Sequence, residues 1–332
     1  MKRILTYIVV AIIIVSTFFV VYDTFFYTNK SGEACLNEDL AAIEALEQQE
    51  KEGMRVMMLG GSNTDYNLSE ISMGYFIITR HNEIIIIDGG LEFDYNEIKL
   101  LVDSYSDGVI DHWILTNASK EHSGALAKFL EEDNKFTIKN LHYNLMEESW
   151  YKKYDKKGFA EEKKLLDLIA STDKVLNYNI CKDGFLVGID NINFEVLRVP
   201  DGSEKDIKDT SMVVKLTAVD VDKSMLFLSD YVKDDIKDLG EKLKSNAVQM
   251  ANHGDGGSKE VYELIKPEVA LFNSPLWFYL NQTQDGTKKL NYKTEEVRGW
   301  LDELNVDTSY IAGDCNQIIH FKEEGIELKE NK

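Results

Sequence analysis

The sequence predicts a layered α/β (α+β) domain carried behind one apolar N-terminal helix, and three observations predict it. Residues 4–22 (ILTYIVVAIIIVSTFFVVY) form an uncharged apolar run. From residue 54 onward, short apolar runs closed by Gly and Asp alternate with helical periodicity, the rhythm of stacked sheets and helices. Beyond Gly53 no Gly/Ser-rich or Pro-rich linker interrupts the 332-residue chain, which has three Pro in all. A single domain over 54–332 is therefore expected, at roughly 280 residues a size that suits two packed sheets better than two independent domains.

The apolar run comes first. As a helix, about 19 residues reach roughly 28 Å, enough to cross the hydrocarbon core of a bilayer. Lys2 and Arg3 precede it and Asp23 follows. The positive-inside bias then leaves the N-terminus in the cytoplasm and the soluble domain outside, anchored in the cell membrane by a single pass. The run ends in bulky Phe and Tyr with no small-residue cleavage pattern behind it, which favours a retained anchor (1–30) over a removed signal peptide. Residues 31–53 form an acidic helical spacer, with Leu36, Leu40, Ile43 and Leu46 three and four apart, an apolar stripe expected to pack on the domain.

Within the domain, apolar β-branched runs bounded by Gly, Asp or Asn predict strands at 55–59, 74–79 and 83–87, the last closed by Asp88-Gly89-Gly90. A helical pattern covers 95–105, a strand 110–116, a polar loop 117–122 and a helix 123–130. Further strands are expected near 194–199, 211–219 and 224–228, then a helix at 233–243. A strand at 248–250, a helix at 259–265, a strand at 269–273, a helix at 294–304 and two terminal strands complete the order. Residues 277–293, rich in Tyr, Asn and Gln, read either as a solvated loop or as a cover over a cleft.

Composition excludes several classes of function. With 44% hydrophobic and 11% aromatic residues the chain can bury a core, so disordered and collagen-like readings fail. The formal net charge is −21. Duplex nucleic acid is disfavoured as a partner, because its binding relies on Lys and Arg displacing counterions. Cys35, Cys181 and Cys315 are an odd set without a CxxC, which argues against a zinc knuckle and against a complete disulfide framework. Gly60-Gly61-Ser62-Asn63 lacks the Lys-Ser/Thr that a phosphate loop requires and reads as a turn.

Three loops at strand ends carry the candidate chemistry: 116–124 (TNASKEHSG), Leu228-Ser229-Asp230, and 251–257 (ANHGDGG). Polar residues just beyond strand ends are held by the sheet while facing solvent. Glu121, His122, Asp230 and His253 offer two carboxylates and two imidazoles, a set that would hold one divalent ion, zinc or manganese rather than calcium. With six His in the chain, such a set taken alone is more often made of surface or structural histidines. His112 and His142 flank apolar strands and read as structural, with His142 the one candidate replacement ligand in the first half; Asp255 offers a further carboxylate.

The order and setting of these residues add to the chemistry. The run Ile84-Ile85-Ile86-Ile87-Asp88-Gly89-Gly90, then Trp113-Ile114-Leu115-Thr116 leading to Glu121-His122-Ser123-Gly124, then Phe227-Leu228-Ser229-Asp230 and Asn252-His253-Gly254, resembles the metallo-β-lactamase superfamily. Among its branches the chain is most similar to the hydrolase domain of competence-type (ComEC-like) DNA-uptake proteins, over about residues 55–328. The resemblance implies an αββα sandwich and metal-dependent hydrolysis of an ester or phosphodiester.

It also implies a degenerate signature. Where the family has His-x-His-x-Asp-His, Asn117 and Ser119 stand at the first two ligand positions, and an amide or hydroxyl is a poor ligand for a transition metal. The first metal position is thereby lost. The second maps onto Glu121, His122, Asp230 and His253, with Glu in place of Asp, and makes Asp230 and Glu121 the catalytic carboxylates. Asp88 is expected to hydrogen-bond loop amides beside the site. Two readings follow, a single-metal hydrolase acting on a small molecule or envelope component, or a metal-free binding or scaffold protein that keeps only the fold.

Overall fold

The computed structural model describes residues 52–60, 71–132, 135–283, 285–306, 308–313 and 316–329. Successive side chains of a strand point to opposite faces, and in β3 (Ile84–Ile87) that alternation divides four isoleucines between two cores. Ile84 and Ile86 join the cluster beneath the first helical layer, whereas Ile85 and Ile87 join the cluster between the sheets. A strand buried on both faces reads as a continuous apolar run, as this one does.

The first sheet has eight strands: β1 (Met54–Met58), β2 (Tyr75–Ile78), β3, β4 (Val109–Leu115), β5 (Thr137–Tyr143), β6 (Val175–Ile180), β14 (Gln317–Lys322) and β15 (Gly325–Lys329). Their order is β15-β14-β1-β2-β3-β4-β5-β6, with β3 to β6 parallel. Parallel neighbours need crossovers, which are supplied by α1 (Asp94–Tyr105), α2 (Lys120–Glu131), α3 (Glu148–Tyr154) and α4 (Phe159–Ser171). Their apolar faces, including Leu101, Phe129, Tyr151 and Leu165, cover the outer side around Trp113.

The second sheet has seven strands: β7 (Leu186–Ile189), β8 (Ile192–Arg198), β9 (Val213–Ala218), β10 (Lys223–Phe227), β11 (Ala247–Gln249), β12 (Val269–Phe272) and β13 (Thr308–Ile311). They run in the order β13-β12-β11-β10-β9-β8-β7. Tyr75, Ile77 and Ile85 of the first sheet meet Phe194, Leu216 and Phe227 of the second in the middle core. On the far side α5 (Lys259–Ile265) and α7 (Thr294–Glu303) bury Tyr262, Val297 and Leu301 against Val248 and Phe272. The short α6 (Leu276–Tyr279) lies between them in sequence. The layers are thus helix, sheet, sheet, helix.

Three differences from the sequence reading have physical causes. Helix α2 begins at Lys120, so the expected loop at 117–122 already contains the first helical turn. Tertiary contact extends it: Gly124 packs on the backbone of Leu91 and Glu92, and the Ala125 N–H donates to the Gly90 carbonyl at 3.1 Å. The segment expected as a helix at 233–243 consists instead of 3-10 turns (Asp234–Leu243) broken where Gly240 takes φ 51°. The stretch holding β5, α3, α4, β6 and β7 was not legible, in part because β6 is an edge strand that buries only Val175 and shows no clean alternation.

The expected membrane anchor at 4–22, nearly all of the spacer at 31–53, and Cys35 and Cys315 lie outside the described residues. Among the described residues no helix is long and apolar enough to cross a membrane. Cys181 is a buried free thiol.

Candidate metal centre

His122 lies in the first turn of α2 after β4, Asp230 three residues beyond β10, and His253 in a tight turn after β11. The fold carries these three strand ends to one place. Ligand atoms of His122, Asp230 and His253 all lie within 4.8 Å of one another, on three buried side chains. His122 Nε2 is 3.4 Å from Asp230 Oδ2, and His253 Nε2 is 3.8 Å from Asp230 Oδ1.

The loops reach this geometry through uncommon backbone. Ser229 (φ 54°), Asn252 (φ 47°) and His253 (φ 60°) occupy the left-handed region, as does Asp88 (φ 60°). Such residues persist only where their surroundings over-determine them. Here the Asn252 N–H donates to the Ser229 carbonyl at 2.9 Å, tying the two ligand loops together. The Ser229 N–H in turn donates to Gln249 Oε1 at 2.6 Å.

Both imidazoles are oriented from behind. His122 Nδ1 lies 2.8 Å from Asp88 Oδ2, and His253 Nδ1 lies 2.7 Å from the Asn273 carbonyl. Since the carbonyl only accepts, His253 carries a proton on Nδ1, and its Nε2 lone pair faces Asp230. Asp88 is itself fixed, because its Oδ1 accepts from the Thr116 N–H at 2.7 Å. The Thr116 hydroxyl bonds the same carboxylate and approaches Ser229 Oγ at 2.7 Å, joining the β3 and β10 ends.

Charge follows from this packing. Burial opposes a proton on His122, but the Asp88 and Asp230 carboxylates outweigh it and hold its pKa well above the ordinary value. Burial likewise opposes ionisation of Asp230, yet His122, His253 and Lys208 hold its pKa well below the usual carboxylate range. His253 is pushed down, chiefly by burial. A divalent ion bound among these groups would take the place of the proton that Asp88 and Asp230 favour on His122.

The donor set fits a divalent cation. His122 Nε2 and Asp230 Oδ1 are buried without a hydrogen-bond partner, although both belong to the convergent group. Buried polar atoms are normally hydrogen-bonded, and here the two meet only the other members of the group, at 3.4 and 3.8 Å, an arrangement that an ion between them would satisfy. Two imidazole nitrogens and a carboxylate suit zinc or manganese.

The remaining expected residues are placed differently. Glu121 is half-buried and lies outside the convergent group, because neighbours on a helix point about 100° apart and His122 takes the inward direction. Glu121 instead lines a cleft of about 200 Å³ together with Ser119, Asp230 and His253. Asn117 is buried and spent on its own surroundings: its Nδ2 donates to the Ile207 carbonyl (2.9 Å) and Ser211 Oγ (2.8 Å), and its Oδ1 accepts from the Ser119 N–H (2.8 Å). Ser119 Oγ has no partner.

His142 is no replacement ligand. It stacks on His112, with Nε2 2.9 Å from His112 Nδ1, and packs against Phe185 and Phe194 between the sheets. Burial lowers the two pKa values to about 3 and about 4 respectively. Asp255 lines the cleft but spends Oδ1 on the Lys293 N–H at 2.5 Å. The 277–293 segment does reach the cleft, through Phe278 and Tyr292, whose rings lie 4.3 Å apart. Sequence reasoning passed over Lys208 and Asn273, since neither sits in a periodic pattern or beside a recognisable ligand spacing, and it quoted Asn252 only as a neighbour of His253.

No protein-family model matches the sequence, and no curated protein matches it. Solved structures do. The chain is similar to unliganded yeast PDE1, with 8% identity, a TM-score of 0.50, and coverage of 80% of this chain and 99% of that one. It also matches the metallo-β-lactamase fold protein YhfI from Bacillus subtilis (11% identity, TM-score 0.47, 80% and 98% covered). Zn(2+)-bound PqqB from Methylobacterium extorquens matches at 12% identity and a TM-score of 0.45, covering 79% and 99%. At 8% identity the likeness to PDE1 speaks for architecture alone, and that architecture is a mixed α/β sandwich, here bearing a His/Asp group suited to a metal ion.

Proposed function

We propose that the protein is a membrane-anchored, extracytoplasmic hydrolase that works with one divalent ion, zinc or manganese, held by His122, Asp230 and His253. The observation that carries this reading is the convergence of buried His122, Asp230 and His253 ligand atoms within 4.8 Å of one another, with His122 Nε2 and Asp230 Oδ1 making no hydrogen bond. When bound, such an ion polarises an ester or phosphodiester oxygen and lowers the pKa of water toward neutrality.

The protein's own groups do the rest. Asp88 and the Asn273 carbonyl keep the two imidazoles presenting Nε2 to the site. Glu121, on the cleft wall, is the carboxylate we assign to take a proton from the attacking water. Ser119 lines the cleft with its Oγ buried, and Asn117 is committed to the loop, so neither stands in for a metal ligand. Phe278 and Tyr292 narrow the apolar side of the cleft. The uncharged run at 4–22 supports the anchor and the external setting, and the order of motifs supports a competence-type hydrolase branch.

Calorimetric titration of the full-length chain with zinc, with metal content read by emission spectroscopy, tests the proposal. About one equivalent is expected from three protein ligands and an open position. His253→Ala should abolish uptake while circular dichroism stays unchanged. A wild-type chain that takes up neither zinc nor manganese removes the hydrolase reading and leaves the metal-free binding protein.

A further inference from the structure

Beside the ligand triad the cleft holds a cation, Lys208, whose charge bears on Asp230 but whose ammonium the metal reading assigns to no ligand. Lys208 opens a 3-10 turn (Lys208–Thr210) between β8 and β9 and is half-buried. Its Nζ donates to Asn252 Oδ1 at 2.8 Å, next to His253 in sequence. Lys208, Ser119, Asp230 and His253 line the same cleft.

Lys208 is tethered by a neutral amide in a chain with 58 acidic residues against 37 basic ones. The nearby acids in sequence turn elsewhere than to its ammonium: Asp209 pairs with Lys233 at 2.8 Å, and Asp206 accepts from the Lys208 backbone N–H at 3.0 Å. One ammonium hydrogen serves Asn252, which leaves two for a ligand. The loop is held by Asn117, whose amide grips the carbonyl of Ile207, the residue before the lysine. A position where the resemblance places the first metal ligand thus anchors the segment that presents Lys208.

We infer that Lys208 supplies the fixed positive charge of the cleft in place of a second metal ion, and that it selects a phosphoryl group over a carboxyl group. This deepens the hydrolase reading and rests on it for the role of the triad. A phosphoryl group carries several anionic oxygens arranged tetrahedrally, so one can meet the ammonium while another faces an ion held by the triad across the same cleft. The two coplanar oxygens of a carboxylate share a single charge and diverge less, so they answer a cation on each side of the cleft less well. A lysine acts as a point charge toward phosphate and needs no planar fork to do so.

The test titrates inorganic phosphate, and acetate in parallel, into the full-length chain in mild detergent, with and without zinc. Wild type, Lys208→Met and Lys208→Arg are compared, with zinc content and circular dichroism recorded for each. The expected result is equal zinc content in all three, phosphate affinity about ten- to hundredfold weaker in Lys208→Met, and most of that loss restored in Lys208→Arg. Phosphate should bind wild type more tightly than acetate does. Equal phosphate affinity of wild type and Lys208→Met at equal zinc content overturns the proposal, as does acetate binding as tightly as phosphate, or no phosphate binding by wild type in either state. If none of the proteins takes up zinc, yet phosphate binds only where residue 208 is cationic, the hydrolase reading fails and the assignment of Lys208 stands.

Discussion

Replacing Asp88 by Asn changes one oxygen to an NH2 group in a place where only one orientation is tolerable. Asp88 Oδ1 accepts from the Thr116 N–H at 2.7 Å and Oδ2 faces His122 Nδ1 at 2.8 Å. Turning the new NH2 toward Thr116 would oppose two buried donors, at a cost of about 1–3 kcal/mol. The amide oxygen must therefore keep Thr116, and the NH2 must donate to His122 Nδ1. That forces the proton of neutral His122 onto Nε2, the atom 3.4 Å from Asp230 that would otherwise receive the metal. Asn tolerates left-handed backbone as readily as Asp, so φ 60° at this position adds no new strain.

The expected loss of zinc affinity is about 10–100-fold, or about 1.4–2.7 kcal/mol, the range for removing a partner that orients a ligand histidine. Competition titration with a chromophoric chelator measures it, and long-range 15N correlation spectra report the His122 tautomer. Losing the Asp88 charge also lowers the pKa of His122 and eases proton release, so the gap between wild type and mutant should narrow as pH falls. An Asp88→Asn protein that binds zinc as tightly as wild type at alkaline pH would refute this account of the site.

Other outcomes follow from groups nearby. Glu162 is 1% exposed, its carboxyl buried against Asp155, and burial followed by the contact with Asp155 raises its pKa from 4.5 to about 9. Below pH 4.5 the carboxyl is protonated whether folded or unfolded; as pH rises toward 9 only the unfolded chain ionises, so this group destabilises the fold increasingly across that window. Glu162→Gln should match wild type in urea unfolding at pH 4 and exceed it at pH 8 by on the order of 2 kcal/mol, a figure discounted because the group borders an open cleft; equal stabilities at pH 8 would contradict the buried carboxyl. At Gly124, an added Cβ would stand 2.6 Å from the Glu92 nitrogen and 2.8 Å from the Leu91 carbonyl carbon, both backbone. Gly124→Ala should therefore lose about 1–3 kcal/mol in thermal unfolding and weaken zinc binding by shifting the turn that holds His122, and an unchanged Tm would show that α2 is not docked this tightly.

What the residues alone determined was local. The four isoleucines before Asp88-Gly89-Gly90, the exact span of α5, and the polar loops after β10 and β11 were legible because hydrophobic period, turn residues and chain breaks are written in neighbouring positions. His122, Asp230 and His253 could be nominated from those loops by residue type, and Asp88 from its turn. Whether Glu121 or His122 faces the ligand space was decided by how α2 docks on the turn at Gly90, and that docking also advanced the start of the helix. The link from Asn117 through Ile207 to Lys208, and the amide that holds the lysine beside His253, join residues remote in sequence and became visible only with the tertiary structure. Side-chain periodicity records which face of an element is buried, whereas a binding site is made where the ends of several elements meet, and their meeting depends on the packing of the two sheets.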